Sequence, residues 1–445
     1  MSKYYDPISA QDCQNQAFAP SYWASTQALP DLLPAITSDT NCDVVIIGGG
    51  FSGLLSAYYL ATEHQQECIV LEANQVGFGA SARNAGFVLK GSGRLSYPQM
   101  SSKWGMDVCQ GIYGEFTEAV QRVEDLIQSQ QIECDPQPKG YLKIAHNQQA
   151  FAGLKAQAEF LQKHLSSDAE FLSTDELEAN YMHNKQAYGA MRLPDGFGIH
   201  PLKLLLGYKK MAMEAGVKIY EHTLASDIND TGSHVTLKAN GFNIKANKLV
   251  ISGNAYNSKV TSPVINNRYL PILSSIMVTK PLTQAQLESS GLKTHQVTMD
   301  TRTLKYYYRL LPDNRLLFGG RGAIFAKDQN KLTYLNNLKE GLADCFPTLS
   351  NISHDYYWHG YIAAALDDMP HVTVQGNIGY TLGYCGAGVS FSAQAAYRLA
   401  QQIAGVTVPN LPLYRTPLPY LPFPSLRRFG QWGYYQYAQL KDKLG

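Results

Sequence analysis

The sequence predicts an α/β plus α+β fold with two domains: a discontinuous, Rossmann-like dinucleotide-binding domain and a second domain built on a mixed sheet. Two observations support this prediction. A strand, a glycine-rich turn, a helix and a second strand follow one another within residues 43–73, which is one complete βαβ unit. Another strand, glycine turn and helix lie at 378–405, and strand-rich segments of different character separate the two. We therefore expect the second domain to interrupt the first.

The composition limits the partners that we expect. The chain has 445 residues, of which 45% are hydrophobic, so it can bury more than one core. Its 37 Lys and Arg nearly balance its 36 Asp and Glu, so no net field attracts nucleic acid or an anionic bilayer, and we expect neither as a partner. The first forty residues lack a secretory signal and no window suits a membrane span, although peripheral membrane contact stays open.

The cysteines show no pattern of disulfides or metal ligands. They are odd in number, widely separated, and without the close pairing that zinc or redox chemistry needs. We expect reduced thiols, a cytoplasmic location and no metal site. The seven positions are Cys13, Cys42, Cys68, Cys109, Cys134, Cys345 and Cys385.

The βαβ unit carries a dinucleotide-binding motif. Gly48, Gly50 and Gly53 give the spacing G-x-G-x-x-G directly after the first strand, where glycines allow a tight turn and close approach to a pyrophosphate. Glu72 ends the second strand, where its carboxylate accepts hydrogen bonds from ribose hydroxyls and repels a 2′-phosphate. FAD and NAD both satisfy this motif. The residues expected to contact the nucleotide are Gly48, Gly50, Phe51, Ser52, Gly53, Glu72 and Ala73.

The next segment, VGFGASARNAGFVL, favours FAD. Its Ser81, Arg83 and Asn84 bring cationic and amide donors toward the pyrophosphate. The stretch has the pattern GASxRNxG, and at these residues the sequence resembles the D-amino-acid-oxidase-like flavoproteins, in particular the branch of gamma-glutamylputrescine oxidase, glycine oxidase and sarcosine oxidase. The resemblance implies FAD as cofactor, with contacts from Gly79, Ser81, Arg83, Asn84, Ala85 and Gly86.

The resemblance covers nearly the whole chain. Six later blocks, from DGFGIHPLKLLLGYKKMA to GYCGAGVSFSAQAA, occur in the order of the family, and one of them, LVISGNAYN, implies a cofactor contact at Gly253. The C-terminal tail is similar as well. We place an N-terminal arm at 1–41, the FAD-binding domain at 42–95, 195–260 and 355–405, the substrate domain at 96–194 and 261–354, and the tail at 406–445.

The late glycine turn is the second cofactor segment that the resemblance implies. Its backbone amides face the pyrimidine and ribityl end of the flavin, where they stabilise the charge that reduction adds. The sequence Gly-Ala-Gly at 386–388 departs from the GHG of many relatives. The implied contacts are Gly383, Gly386, Ala387, Gly388 and Val389.

The positions that carry covalent flavin in some relatives lack the histidine or cysteine required. One is occupied by Arg83 or its neighbour, and the block IAAALDDMP contains no cysteine, so we expect non-covalent FAD. Cys385 is an alternative linkage site within the glycine turn. A small buried residue packed under that turn is the interpretation that we favour.

The substrate side is less well defined. In KYYYRL, strand alternation puts Tyr306 and Tyr308 on one face and Tyr307 on the other, and we take the pair Tyr306 and Tyr308 as candidates to orient substrate. Ordinary sheet packing explains the same tyrosines. Arg321 and Arg309 are candidates to bind a substrate carboxylate, with surface or pyrophosphate roles as alternatives. The few charged candidates suggest a substrate with one anionic group at most.

These features predict oxidation of a C–N bond in a small-molecule amine or amino acid to an imine by hydride transfer to flavin N5, followed by hydrolysis. O2 is the expected acceptor and gives hydrogen peroxide. A dehydrogenase with another acceptor stays open, because the stretch RLLFGG lacks the lysine that sarcosine-oxidase relatives carry there. An accessory flavoprotein that acts on a partner protein also stays open; only the aromatic tail YLPFPSLRRFGQWGYYQY suggests it, and packing across its own domain interface explains that tail.

Overall fold

A computed structural model describes residues 5–9, 13–257 and 264–444. The domain boundary predicted at 260–261 lies outside these residues. The strands are β1 (Thr40–Ile47), β2 (Cys68–Leu71), β3 (Phe87–Val88), β4 (Tyr141–Ile144), β5 (Glu170–Leu172), β6 (Ala190–Leu193), β7 (Phe197–Gly198), β8 (Lys218–Tyr220), β9 (Ala225–Asp230), β10 (Val235–Ala239), β11 (Phe242–Ile251), β12 (Leu270–Thr279), β13 (Val297–Asp300), β14 (Tyr307–Leu310), β15 (Leu316–Arg321), β16 (His354–Ala364), β17 (His371–Gln375) and β18 (Ile378–Leu382).

The helices alternate with these strands in the first part of the chain and close its end. They are α1 (Tyr22–Thr26), α2 (Phe51–His64), α3 (Tyr97–Trp104), α4 (Met106–Ser129), α5 (Gln148–Leu165), α6 (Thr174–Asn180), α7 (Pro201–Glu214), α8 (Gln284–Ser290), α9 (Leu332–Cys345), α10 (Phe391–Ile403), α11 (Pro412–Arg415) and α12 (Arg427–Leu444). Within the described ranges, no helix has the length and apolar character needed to cross a membrane.

The first sheet is the nucleotide-binding sheet. Its order is β17-β18-β11-β1-β2-β8, with β10 and β9 attached to β11, and β1 runs parallel to both β2 and β11. Residues Val44–Ile47 are buried because α2 covers one face of the sheet and apolar strand residues such as Val235 and Leu237 cover the other, which explains their continuous apolar sequence. On one face, α2 packs against α7 and α10, so the βαβ unit contacts a helix from the far end of the chain.

The second sheet is mixed and carries the remaining long strands. Its order is β16-β12-β15-β14-β13-β4-β6-β5; β13 and β4 are parallel and the other neighbours are antiparallel. Helix α9 packs against one face, where it buries Tyr308, Phe318 and Leu338. The two sheets confirm the predicted fold class. The boundary predicted at 355 is wrong, because β16 pairs with β12 in the second sheet rather than joining the nucleotide-binding sheet.

The N-terminal arm is held in place by hydrogen bonds to the loop at 79–86 and to Glu221, which follows β8. The indole of Trp23 in α1 donates a hydrogen bond of 2.9 Å to the carbonyl of Asn84. The backbone N–H of Leu33 donates to the buried carboxylate of Glu221, which also pairs with Lys209 at 2.9 Å. The arm therefore belongs to the structure around the predicted cofactor segment.

Candidate active site

The end of β1 forms a cradle that only glycine permits. Gly48 has φ +104°, and a Cβ on Gly53 would lie 1.9 Å from the carbonyl oxygen of Gly48. This contact brings the start of α2 directly onto the strand end. The N-cap of α2 is Gly50, which makes no side-chain capping bond. The N–H groups of Ser52 and Gly53 in the first turn therefore stay available, and with the partial positive charge of the helix start they suit a phosphate.

Glu72 at the end of β2 lies beside this cradle. Its two carboxylate oxygens accept hydrogen bonds from the backbone N–H groups of Gly49, at 2.8 Å, and Asn74, at 3.0 Å. Burial raises the pKa of Glu72 above its usual value, and these two donors act against that rise. The carboxylate is thus held in one orientation at the wall of the cleft, where ribose hydroxyls are further donors to it.

The segment 79–86 closes over the cradle and is held by bonds to its backbone. The hydroxyl of Ser81 accepts the N–H of Phe51 at 2.9 Å, which joins the segment to the first turn of α2. Two indoles hold consecutive carbonyls: Trp23 donates to Asn84 and Trp358 donates to Arg83, each at 2.9 Å. This arrangement fixes the segment between the two sheets.

Arg83 itself does not line the cleft. Its guanidinium donates to the carbonyls of Phe78 and His359 and lies 4.5 Å from the centre of the Phe78 ring. Burial lowers the pKa of Arg83 from its usual value. The structure therefore places this cation on the loop backbone, whereas the sequence suggested a place near the pyrophosphate.

The late glycine turn completes the cleft from the other end of the chain. The hydroxyl of Tyr384 shares a hydrogen bond of 2.9 Å with Ser52 on α2, across 332 residues. Gly386 and Gly388 line the same cleft ahead of α10. The cleft has about 1180 Å³ of empty space, its opening to solvent included. Its glycine cradle, fixed carboxylate and open helix start fit an extended dinucleotide.

A second cavity adjoins this cleft. It has about 1050 Å³ of empty space and shares Ala80, Asn84, Ile362, Gly386 and Val389 with the cleft. The loop 83–94 covers it on one side and the second sheet forms the other. A ring bound at the end of the cleft would therefore face the second cavity across these shared residues.

One row of side chains across the second sheet forms the floor of the cavity. The cross-strand neighbours are Ile276 on β12, Gly319 on β15, Tyr307 on β14 and Met299 on β13. A Cβ on Gly319 would lie 2.2 Å from the Tyr307 ring, so glycine there lets the tyrosine lie flat on the sheet. The Tyr307 hydroxyl shares a hydrogen bond of 2.7 Å with Ser274.

The predicted tyrosine pair lies on the wrong face. Tyr308 stacks on Phe318 and accepts a hydrogen bond of 2.7 Å from Asn184, and Tyr306 packs on the same ring beneath α9. Tyr306 and Tyr308 share one face of the strand and Tyr307 lies on the other, as predicted, but it is Tyr307 that lines the cavity. The residues 306, 308 and 310 form an apolar row that suits the helix-covered face, whereas 305, 307 and 309 are Lys, Tyr and Arg.

The second cavity is lined by cations that make no ion pair. Arg94, Lys305 and Arg321 line it, and none of its lining residues is an Asp or Glu. Among the described residues, the side chains of Lys305 and Arg321 make no ion pair or hydrogen bond, and the guanidinium of Arg94 donates only to the hydroxyl of Tyr434, at 3.2 Å. Burial raises the pKa of Asp368, a carboxylate outside the lining, and the nearby charges of Arg94 and Lys305 act against that rise. Burial, and then the charges of Lys143, Arg94 and Arg321, lower the pKa of Lys305 to about 7. This arrangement attracts an anionic ligand.

Two further candidates lie at the edges of this site. Arg309 is buried away from the cavity, donates to Gln137 and to the carbonyl of Ile199, and has a pKa lowered by burial to about 9. It therefore supports the segment around Gly86 rather than contacting substrate. Cys385 lines the cavity, and burial raises the pKa of its thiol to about 11. A protonated thiol is a poor nucleophile for a flavin link.

A dinucleotide cleft that adjoins a second cavity across shared residues is typical of a nucleotide-dependent oxidoreductase. The chain belongs to the FAD dependent oxidoreductase family, which its sequence matches over residues 43–402. FAD is therefore the nucleotide that the cleft holds, and the resemblance noted in the sequence is confirmed.

Individual relatives cover most of the chain. Gamma-glutamylputrescine oxidoreductase of Escherichia coli (strain K12) is 30% identical over 430 residues, which is 96% of this chain and 98% of the relative. The crystal structure of glycine oxidase from Geobacillus kaustophilus superposes with a TM-score of 0.68 at 19% identity, covering 84% of this chain and 98% of that one. L-proline dehydrogenase from P. horikoshii gives a TM-score of 0.67 at 18% identity, covering 86% and 96%.

The predicted cofactor contacts fall into three groups. Those lining the cleft are Gly48, Gly50, Phe51, Ser52, Glu72, Ala73, Gly79, Ser81, Asn84, Gly253, Gly386, Gly388 and Val389. Those lining only the second cavity are Arg83, Ala85 and Ala387, beside the predicted catalytic Arg321. Those lining neither the cleft nor the second cavity are Gly53, Gly86 and Gly383. A Cβ on these residues would lie 1.9, 2.1 and 2.8 Å from backbone carbonyl oxygens.

Several site residues were not predicted from the sequence. Tyr384 lies within the late glycine turn, and the glycines beside it were the signal that could have identified it as a site residue. Arg94 follows the segment 79–86 by a few residues in a polar loop, and Lys305 opens the KYYYRL strand. Alternation with Tyr307 was the only signal for Lys305.

Proposed function

We propose that this protein oxidises a C–N bond in an amine or amino acid whose substrate form carries a carboxylate, with FAD held non-covalently. The observation that supports this proposal is the group of Arg94, Lys305 and Arg321, which line the cavity beside the cofactor cleft and make no ion pair among the described residues. A substrate carboxylate supplies the missing negative charge, and an Arg binds it bidentately. The E. coli relative is named for a gamma-glutamyl amine, which agrees with this chemistry.

The remaining lining favours the reactive form of the amine. Phe87, Leu89, Ile276, Met299 and Tyr307 give the cavity an apolar wall. Desolvation by such a wall lowers the pKa of a substrate ammonium, so the neutral amine is formed more readily. FAD, when bound, takes up the hydrogen and two electrons of the substrate C–H bond. The imine that remains reacts with water to give a carbonyl compound and the freed amine or ammonia.

We propose O2 as the electron acceptor, reduced to hydrogen peroxide. The stretch RLLFGG, which forms β15, contributes no lysine to the cavity. Lys305, just before β14, supplies a positive charge there instead. A cation beside the cofactor stabilises the charge that passes to O2. Dehydrogenase activity with another acceptor is the alternative outcome of the same test.

The experiment uses the purified yellow holoenzyme and matched amine pairs that differ only by a carboxylate. The pairs are gamma-glutamylputrescine and 4-aminobutanoylputrescine, glycine and methylamine, sarcosine and dimethylamine, and proline and pyrrolidine. Each is mixed anaerobically while flavin absorbance is followed, and air is then admitted. We expect one acid to bleach the flavin about 10- to 100-fold faster than its partner. Rapid recolouring in air supports oxidase activity; slow recolouring indicates another acceptor.

Arg321→Met tests whether the cavity cations recognise the carboxylate. The variant should reduce the preference for the acid by about 10- to 100-fold and leave bound flavin unchanged. Arg315→Met is the matched control, since Arg315 lies six residues earlier and pairs with Asp313 and Asp355 outside the cavity. Equal bleaching by both members of every pair would contradict recognition of the carboxylate. A flavin that stays oxidised with all of them would contradict the amine substrate and favour a protein partner.

A further inference from the structure

The C-terminal helix α12 has an apolar face that points away from the protein. Gln431, Tyr435 and Ala438 are buried against the domain. On the opposite side of the helix, Phe429 is 70% exposed and Leu440 is 58% exposed. The exposed apolar residues recur with helical spacing at Leu426, Phe429, Trp432, Tyr437 and Leu440. The helix thus packs Tyr435 and Ala438 inward and presents a second apolar face outward, and packing within the chain does not account for that second face.

The exposed apolar residues of the chain are concentrated here. Of the fifteen large hydrophobic side chains exposed among the described residues, eight lie between 420 and 440. Phe423, just before α12, is 75% exposed, and Phe325 extends the same surface because Arg428 lies 5.7 Å from its ring. A contiguous apolar surface of this kind indicates a site of association.

The charges around this face are positive. Between 427 and 443 the chain has four basic residues and one acid, and since Arg428 pairs with Asp6 at 2.7 Å, an excess of +2 remains, whereas the whole chain has +1. The single acid, Asp442, points inward and accepts the backbone N–H groups of Thr303 and Leu304 at 2.7 and 3.0 Å. Lys441 and Lys443 stay exposed at the end of the helix. The balanced charge of the whole chain conceals this local excess.

We propose that the outward face of α12 docks the protein onto an anionic membrane surface. Phe, Trp, Tyr and Leu on one face with flanking lysines are the composition of a helix that lies in the membrane interface, and Trp and Tyr partition to that depth. Lysines that remain free attract anionic headgroups, whereas a second copy of this chain brings the same positive charges to the contact and repels it. The charge therefore favours a bilayer.

The outward face of α12 lies close to the substrate cavity. Tyr434 on α12 accepts a hydrogen bond of 3.2 Å from Arg94, which lines that cavity. Leu304, whose backbone N–H donates to Asp442, is followed in the chain by Lys305, which also lines the cavity. A bilayer bound to α12 thus contacts the part of the molecule that carries the cavity, and this inference does not depend on the proposed substrate.

The test is flotation of the holoenzyme with lipid vesicles. One set contains phosphatidylcholine alone, and the other contains about one third phosphatidylglycerol. We expect the protein to float with the anionic vesicles and to be released by high salt. Leu440→Ser should reduce the bound fraction about tenfold. Leu32→Ser is the matched control, since Leu32 is also 58% exposed but lies in the N-terminal arm. Flavin content verifies that both variants fold.

Three results would overturn the proposal. The first is absence of wild-type protein from the anionic vesicle fraction, and the second is an equal loss of binding in both variants. The third is a dimer, detected by light scattering after gel filtration, that Leu440→Ser dissociates, because the face is then an interface between copies of the chain.

Discussion

The cofactor cleft and the substrate cavity share a boundary but are built differently. Backbone groups form much of the cleft, and the glycines that expose them fall within six positions, 48–53, and again within 383–388. Side chains form the cavity, and they come from a loop at 83–94 and from five strands of the second sheet. A site made from backbone is encoded locally as glycine spacing. A site made from side chains depends on strand register and on which face of each strand is covered.

The largest expected effect comes from filling the cradle. In Gly53→Ala the new Cβ lies 1.9 Å from the carbonyl of Gly48, so β1 and α2 must separate. We expect the protein to purify without flavin and with a lower melting temperature, measured by absorbance and calorimetry. Gly153→Ala is the control: this residue lies within α5, where a Cβ meets nothing within 4 Å. That variant should keep its flavin and gain up to about 1 kcal/mol. A yellow Gly53→Ala protein would contradict the cradle.

The cavity should respond to pH through Lys305, whereas the cleft should not. Burial and three neighbouring cations hold the pKa of Lys305 at about 7, so the side chain is charged below that pH and neutral above it. A carboxylate without an amine, such as acetate, should therefore bind about tenfold more weakly as the pH rises through 7. Titration of flavin absorbance with acetate measures this affinity. Lys305→Met should bind acetate as weakly at low pH as the wild type does at high pH; a pH dependence that survives the substitution would exclude Lys305 as its source.

The smallest effects distinguish the two faces of one strand. Tyr307→Phe removes a hydroxyl from the cavity, so kcat/KM should fall by about two- to fivefold while the melting temperature stays unchanged. Tyr308→Phe removes the buried acceptor of Asn184 and should cost about 1–2 kcal/mol of stability with little change in kcat/KM. Steady-state kinetics and chemical denaturation of both variants test this. The opposite pattern would mean that Tyr308, as first predicted from the sequence, faces the substrate.

The sequence was sufficient to predict the two-sheet fold and thirteen of the residues that line the cleft, because Gly48, Gly50 and Glu72 lie at positions that their motif defines. It was insufficient for the cavity. Alternation in KYYYRL is symmetric, so only the packing of α9 on Tyr308 decides which face is open. Arg94 enters the cavity from a loop without periodicity. The strand at 354–364 adjoins nucleotide-binding segments in sequence, and only its pairing with β12 assigns it to the second sheet.

The bond between Ser52 and Tyr384 has a consequence for the synthesis of the protein. The two residues leave the ribosome 332 positions apart, which at cellular translation rates is a delay on the order of tens of seconds. Until the end of that delay, the helix α2 of the first βαβ unit lacks α10 and exposes apolar surface that α10 covers in the finished protein. The cofactor cleft is therefore complete only after the late glycine turn has left the ribosome.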